Sequence, residues 1–175
     1  TDFEIITVAV NPVNDPPVLA PINDVSFDEC QGDCDENNSE TISVSSTDID
    51  SNTSIYVCVP QLAEAANIEC SVNNGSDEIT FSALNPDWSG SETCLIAVTD
   101  NDGGDESDSQ IITVIVNPIN DAPISSDVIV SVVEETATPI TLSATDVDDD
   151  DMFLQYFVVD SPSEGSIDDN GNSVS

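Results

Sequence analysis

The sequence predicts an all-β fold of tandem Greek-key β-sandwiches, and three observations predict it. Val and Ile recur in short alternating runs separated by Gly, Pro, Asn and Asp turn residues. No stretch carries a convincing helical period, Gln61–Ala66 being long enough for one turn at most. Part of the sequence also returns at a spacing close to the roughly 100 residues of one sandwich.

That repetition sets the domain boundaries. Thr7-Val8-Ala9-Val10-Asn11-Pro12-Val13-Asn14-Asp15-Pro16-Pro17 returns as Thr113-Val114-Ile115-Val116-Asn117-Pro118-Ile119-Asn120-Asp121-Ala122-Pro123, an offset of 106 (117 − 11). Thr41–Asp50 returns at Ile140–Asp148 with an offset of 98 (146 − 48). The difference of 8 between these offsets places an insertion in the first copy, with Cys30–Glu40 as its expected site. Residues 1–12 then read as the final strand of a preceding repeat. Residues 13–117 read as one complete domain, and 118–175 as the N-terminal part of a following one.

Within the complete domain the expected strands follow one another at short intervals. Asp24–Phe27 comes first, then the alternating Thr41–Ser46. Ser54–Val59 is third, with Ile55, Val57 and Val59 assigned to its inner face. Asn67–Val72 and Glu78–Ala83 flank the turn Asn73-Asn74-Gly75-Ser76, a hairpin signal. Cys94–Thr99 places Cys94, Ile96 and Val98 on one face, and Ser109–Val116 closes the domain. Trp88, the single tryptophan, is expected to serve packing rather than sugar stacking. In Thr1–Val10, Phe3, Ile5, Val8 and Val10 alternate imperfectly, as in a closing strand completed by a neighbouring copy or repeat.

Charge is the second constraint. The chain of 175 residues holds 36 Asp and Glu and no Lys, Arg or His, a formal net charge of −36. With 38% hydrophobic residues it can still build a core, but self-repulsion opposes compaction. No side chain can form a salt bridge, so bound divalent cations are the strongest compensating agent. Nucleic acid, bound mainly through Lys and Arg, is excluded as a partner, and anionic membrane surfaces are disfavoured for the same reason. No apolar run approaches the roughly 18 residues of a membrane span. Ser–His chemistry is impossible without His.

The five cysteines, Cys30, Cys34, Cys58, Cys70 and Cys94, lack the His and paired spacing of a zinc site. Disulfides in an oxidising compartment are the expected reading. Cys30 with Cys34 closes a short acidic loop; Cys58–Cys70 and Cys70–Cys94 both remain open, and one thiol is left over. Sequons at Asn37, Asn52 and Asn74 are short matches in an Asn- and Ser-rich chain.

The acidic motifs carry the functional signal. Asp48-Ile49-Asp50 and Asp146-Val147-Asp148 each end a predicted strand, and residues two apart in extended chain project the same way. Calcium takes six to eight oxygens from carboxylates, carbonyls, Asn side chains and water. The linkers offer Asn14-Asp15 and Asn120-Asp121, and Asp100 opens an acidic turn. One acidic pair in so acidic a chain means little; its recurrence behind the same Asn-Asp-x-Pro linker is the informative fact. Asp105 and Glu106 serve as examples of charge outside these clusters.

These motifs resemble cadherin-like repeats, particularly those of large bacterial surface adhesins. Asn14-Asp15-Pro16-Pro17 and Asn120-Asp121-Ala122-Pro123 resemble the calcium linker. Thr47–Asp50 and Thr145–Asp148 resemble the strand-ending acidic pair. Val132-Val133-Glu134-Glu135-Thr136 and Val98-Thr99-Asp100 resemble the first-strand glutamate and late-loop aspartate. The resemblance implies a calcium (Ca2+) cluster of Asn14, Asp15, Asp48, Asp50 and Asp100, and a second of Glu29, Asn120, Asp121, Asp146 and Asp148, with Asp87 as a further candidate. Pro16 and Ala122 replace an expected Asn, and Pro12 and Pro118 stand where an acid is common. It further implies a structural or adhesive extracellular role at the cell surface, with neighbouring repeats or copies as partners and no enzymatic activity. The competing expectation is a module binding carbohydrate or ice, which neither a regular Thr array nor an aromatic cluster supports.

Overall fold

The computed structural model describes residues 2–30, 38–51, 53–61, 66–100, 106–148, 154–160 and 162–167. The chain forms two compact units, one built mainly of residues up to Pro118 and one from Ile119 onward. Every regular element among the described residues is a strand.

In the first unit the strands are β1 (Val18–Leu19), β2 (Val25–Asp28), β3 (Ser39–Ser43), β4 (Ser46–Thr47), β5 (Ser54–Pro60), β6 (Ile68–Asn73), β7 (Glu78–Ala83), β8 (Gly90–Asp100) and β9 (Ser107–Asn117). One sheet has the order β2-β9-β8-β5 and the other β3-β7-β6, while β1 pairs with β4 in a short ladder. Pairing is antiparallel except between β2 and β9, where Val25 faces Val114 and Phe27 faces Val116 in parallel.

The core lies between the two sheets. Cys94, Ile96 and Val98 of β8 and Ile112, Val114 and Val116 of β9 bury one face of the larger sheet, and Ile68, Ile79 and Phe81 bury the facing side of the smaller. Burial alternates residue by residue along β7, β8 and β9, as the two-residue period of a strand requires. Of the two cysteine pairings left open by sequence, the structure forms Cys58–Cys70, tying β5 of one sheet to β6 of the other. Cys30 is also disulfide-bonded, while its expected partner Cys34 and the expected insertion up to Asn37 lie outside the described residues.

The strands expected within residues 13–117 recur, β7 with its expected bounds and the others with shifted ends. β8 and β9 run longer than predicted: the added Gly90–Thr93 pairs with Val116–Thr113 of β9, and the added Ser107 and Asp108 pair with Thr99 and Val98 of β8. The expected strand Thr41–Ser46 is interrupted: Ser39–Ser43 pairs with β7 and Ser46–Thr47 turns to β1. The face assigned to the third strand is reversed. Tyr56 is buried, with its hydroxyl 3.0 Å from Ser46 Oγ, and Ile55, Val57 and Val59 point outward at 38–45% exposure. Residues 2–16 form no strand; Phe3, Ile5, Val8 and Val10 are exposed. The turn expected before Glu78 closes the β6–β7 hairpin through a left-handed Asp77 (φ 55°). Trp88 packs half-buried against the core, and Gly90 (φ 154°) answers it, since a Cβ there would lie 2.7 Å from the indole.

The second unit contains β10 (Ile124–Ser125) and β11 (Ala144–Thr145), paired antiparallel. Their register reproduces that of β1 and β4: Val18↔Thr47 and Leu19↔Ser46 become Ile124↔Thr145 and Ser125↔Ala144. The flanking bond from Ala20 N to Ser45 O returns as Ser126 N to Ser143 O. Both shifts equal the sequence offsets of 106 and 98, so the internal repeat is structural as well as sequential.

The reversed face of β5 is directly testable. Tyr56→Ala is expected to cost about 3–5 kcal/mol in urea unfolding, as for other buried aromatic truncations. Ile55→Ala is expected to cost under about 1 kcal/mol, as at partly exposed sites. The reverse order of losses would restore the aliphatic residues to the core.

Candidate metal centre

The candidate residues gather where β1 and β4 end the first unit. Asp48 follows β4, and its Oδ1 accepts the backbone N–H of Asp50 at 2.8 Å and of Ser51 at 3.0 Å. A side chain bonding its own backbone two and three residues on is a turn that short acidic residues favour. The turn swings Asp50 toward the linker, where Asp50 Oδ2 accepts the N–H of Asp15 at 2.9 Å. Asn14, the preceding linker residue, donates its Nδ2 to Asp100 Oδ2 at 2.6 Å from the end of β8. Thus the structure brings together Asn14, Asp15, Asp48, Asp50 and Asp100, the five residues expected of the first cluster. A shallow open recess lined by Asp15, Pro16, Val18, Thr47, Asp48 and Ile49 adjoins them.

The electrostatics of this group are unfinished. Asp100 is 6% exposed, and its Oδ1 is buried without a hydrogen-bond partner; Asp48 Oδ2 is in the same condition. A buried carboxylate oxygen without a partner carries its full desolvation cost. Among the described residues, the donors that reach these carboxylates are amide N–H groups, and the chain has no cationic side chain to supply more. The exposed oxygens and buried orphans together form an all-oxygen donor set, the chemistry that suits a hard cation.

The second unit repeats the arrangement. Asp148 N donates to Asp146 Oδ1 at 2.9 Å, and Asp121 N donates to Asp148 Oδ2 at 2.6 Å. Asn120 Nδ2 donates to the Asp121 carbonyl at 2.6 Å. Four expected residues, Asn120, Asp121, Asp146 and Asp148, therefore meet in one frame. Glu29 and Asp87 belong to the first unit. Glu29 is buried just after β2, with its backbone N–H on the Asn117 carbonyl and its own carbonyl accepting from Asn38. Asp87 is exposed in the turn between β7 and β8, its N–H on Asn85 Oδ1.

Two residues of the first cluster escape the sequence reading. Ser51 is buried and anchors the Asp48 turn. Glu106, expected to stand apart, brings its Oε2 to 3.5 Å from Asn14 Nδ2. Asp105 and residues 101–104 lie outside the described residues. Asn74 shows why its sequon is a poor acceptor: its side chain holds both the N–H and the carbonyl of Tyr56. The sequons at Asn37 and Asn52 fall outside the described residues.

Among the described residues, the group of three metal-ligating side chains that comes within 4.8 Å is Cys58, Cys70 and Cys94. Two of these sulfurs are bonded to each other, which removes the thiolates a zinc site needs. Among the described residues, no three carboxylates come as close. The chain matches no protein-family model and no curated protein sequence. No helix among the described residues is long and apolar enough to cross a membrane.

The Asp48 turn separates charge from hydrogen bonding. In chelator, Asp48→Asn keeps an acceptor oxygen and removes a charge, so stability is expected to stay level or rise. Asp48→Ala leaves two amide groups without their acceptor and should fall about 1–3 kcal/mol below the Asn variant. Equal stabilities by thermal unfolding would show that the turn contributes nothing.

Proposed function

We propose that this chain is a tandem-repeat structural or adhesive segment whose β-sandwich units are stiffened by calcium at their acidic ends. The observation that carries the reading is the Asp100 carboxylate, buried with an unpartnered Oδ1 beside the Asn14-Asp15 linker. A negative group desolvated without a cation is a costly arrangement that a bound cation would reverse. Asp48 Oδ2, Asp100 Oδ1, the free oxygens of Asp15 and Asp50, and the Asn14 carbonyl are the atoms that would hold it. The repeated Asp121–Asp148–Asp146 frame supports one such cluster per repeat.

Calcium fits these donors better than a softer metal, because the set contains neither imidazole nor free thiolate. A bound ion would also offset mutual repulsion among carboxylates that no ion pair relieves. The Cys58–Cys70 disulfide supports an oxidising, extracellular setting. With Lys and Arg absent, the partners are neighbouring repeats or copies rather than nucleic acid.

Sites of this kind commonly bind at about 10⁻⁴ to 10⁻³ M, so about 10 mM calcium should stabilise each by about 1–3 kcal/mol. Calorimetric titration should therefore give saturable binding in that range. Asp100→Asn should abolish the contribution of the first cluster while raising stability in chelator. Asp146→Ala with Asp148→Ala should remove the second contribution and leave the first. Heat signals that are unsaturable, or identical in all three proteins, would sink the proposal.

A further inference from the structure

Three sulfur atoms lie on the inner side of the sandwich edge formed by β5 and β6. Cys58 on β5 and Cys70 on β6 are joined, and Cys94 on β8 is a free thiol with 0% exposure. All three sulfurs lie within 4.8 Å of one another. The topology gives them unequal positions. β5 and β6 are edge strands of their sheets, whereas β8 is held on both sides by β5 and β9.

We infer that these three residues form an intramolecular thiol–disulfide exchange centre, in which Cys94 takes over Cys70 and releases Cys58 as a free thiol on the edge strand. In the step, Cys94 loses its proton to solvent and its thiolate attacks Cys70 Sγ. The Cys94–Cys70 bond forms as the Cys70–Cys58 bond breaks. The electron pair leaves on Cys58, which takes up a proton. One disulfide and one thiol enter and leave, so no oxidant or reductant is consumed.

Geometry selects which sulfur is attacked. Cys58 pairs with Ile96 and Cys94 with Pro60 on adjacent strands, which makes Cys58 and Cys94 a diagonal pair. Diagonal neighbours lie about 7–8 Å apart at Cα, beyond the roughly 4.4–6.8 Å range of disulfides. Cys70 stands on β6 of the opposite sheet with its sulfur within 4.8 Å of the Cys94 sulfur, so the diagonal spacing within one sheet does not apply to that pair.

The closed sandwich holds the centre latent. Burial pushes the Cys94 thiol up to about 11, and the neighbouring charge of Glu92 adds to the shift. Glu92 is itself buried, with Oε1 taking both the N–H and the side-chain amide of Asn67 and Oε2 without a partner. Lifting β5 away from β8 admits water to both groups and lets the thiolate form. Exchange then moves the free thiol from Cys94, in a sealed position, to Cys58 on a half-exposed edge, where it can meet a disulfide of another molecule.

The test follows the free thiol. Full-length protein is held at pH 8 with and without urea below the unfolding midpoint, quenched in acid, labelled with N-ethylmaleimide in denaturant and mapped by mass spectrometry without reduction. Without urea, label is expected on Cys94 alone. With urea, label should move to Cys58 and a Cys70–Cys94 linked peptide should appear, at least about tenfold over Cys58–Cys94. Cys94→Ala should leave Cys58 unlabelled. Label confined to Cys94 throughout, equal amounts of the two isomers, or Cys58 label surviving in Cys94→Ala would each overturn the inference.

Discussion

Uncompensated negative charge is the constraint on which this structure turns. A chain with 36 carboxylates and no cationic side chain cannot use ion pairs anywhere. Two carboxylates about 6 Å apart repel by about 3 kcal/mol at an effective dielectric near 20. The fold answers first by geometry: the core between the sheets is nearly all aliphatic and aromatic, and most acids stand in loops or on outer faces. The buried exceptions are Glu29 and Glu92 in the first unit and Asp100 and Asp121 in the acidic frames, with Asp48 half-buried in the first of those frames. Such exceptions are informative because every competing pressure acts against them.

Backbone amides organise the acidic clusters. Asp48 and Asp146 each cap their own following turn, and Asp50 and Asp148 each take a linker amide. One oxygen of each of these groups is thereby fixed by backbone N–H donors, which orient the carboxylate without neutralising it. The same amides fix the linker to the strand end, so each acidic frame is also the hinge between a linker and its sandwich. On the proposed reading, a cation held by these carboxylates would stiffen the linker through the same hydrogen bonds. The inter-sheet disulfide acts elsewhere, closing a separation of 12 residues between β5 and β6, worth roughly 3 kcal/mol by loop entropy.

Much of this was legible in the sequence. Strand alternation gave β7 to the residue, and the inner face of β8 followed from Cys94, Ile96 and Val98. The recurrence of the Asn-Asp linkers and acidic pairs pointed to residues that share backbone hydrogen bonds, Asp15 with Asp50 and Asp121 with Asp148. The face of β5 was not legible, because Ile55-Tyr56-Val57-Cys58-Val59 is apolar on both sides. What decided it were long-range partners, the Ser46 hydroxyl for Tyr56 and Cys70 for Cys58. Glu106 was misjudged for a related reason: it sits 92 residues from Asn14, and only sheet closure brings them together. Glu92 carried no local signal at all, since its partner Asn67 lies across the sandwich edge.

The most direct test of the account separates a bound ion from simple screening. Thermal unfolding of the full chain should be followed against calcium chloride, and against sodium chloride at matched ionic strength. Site binding predicts a gain that saturates in the millimolar range with calcium and is several-fold smaller with sodium. Equal gains from the two salts would contradict the account and leave the acidic frames as ordinary solvated charge.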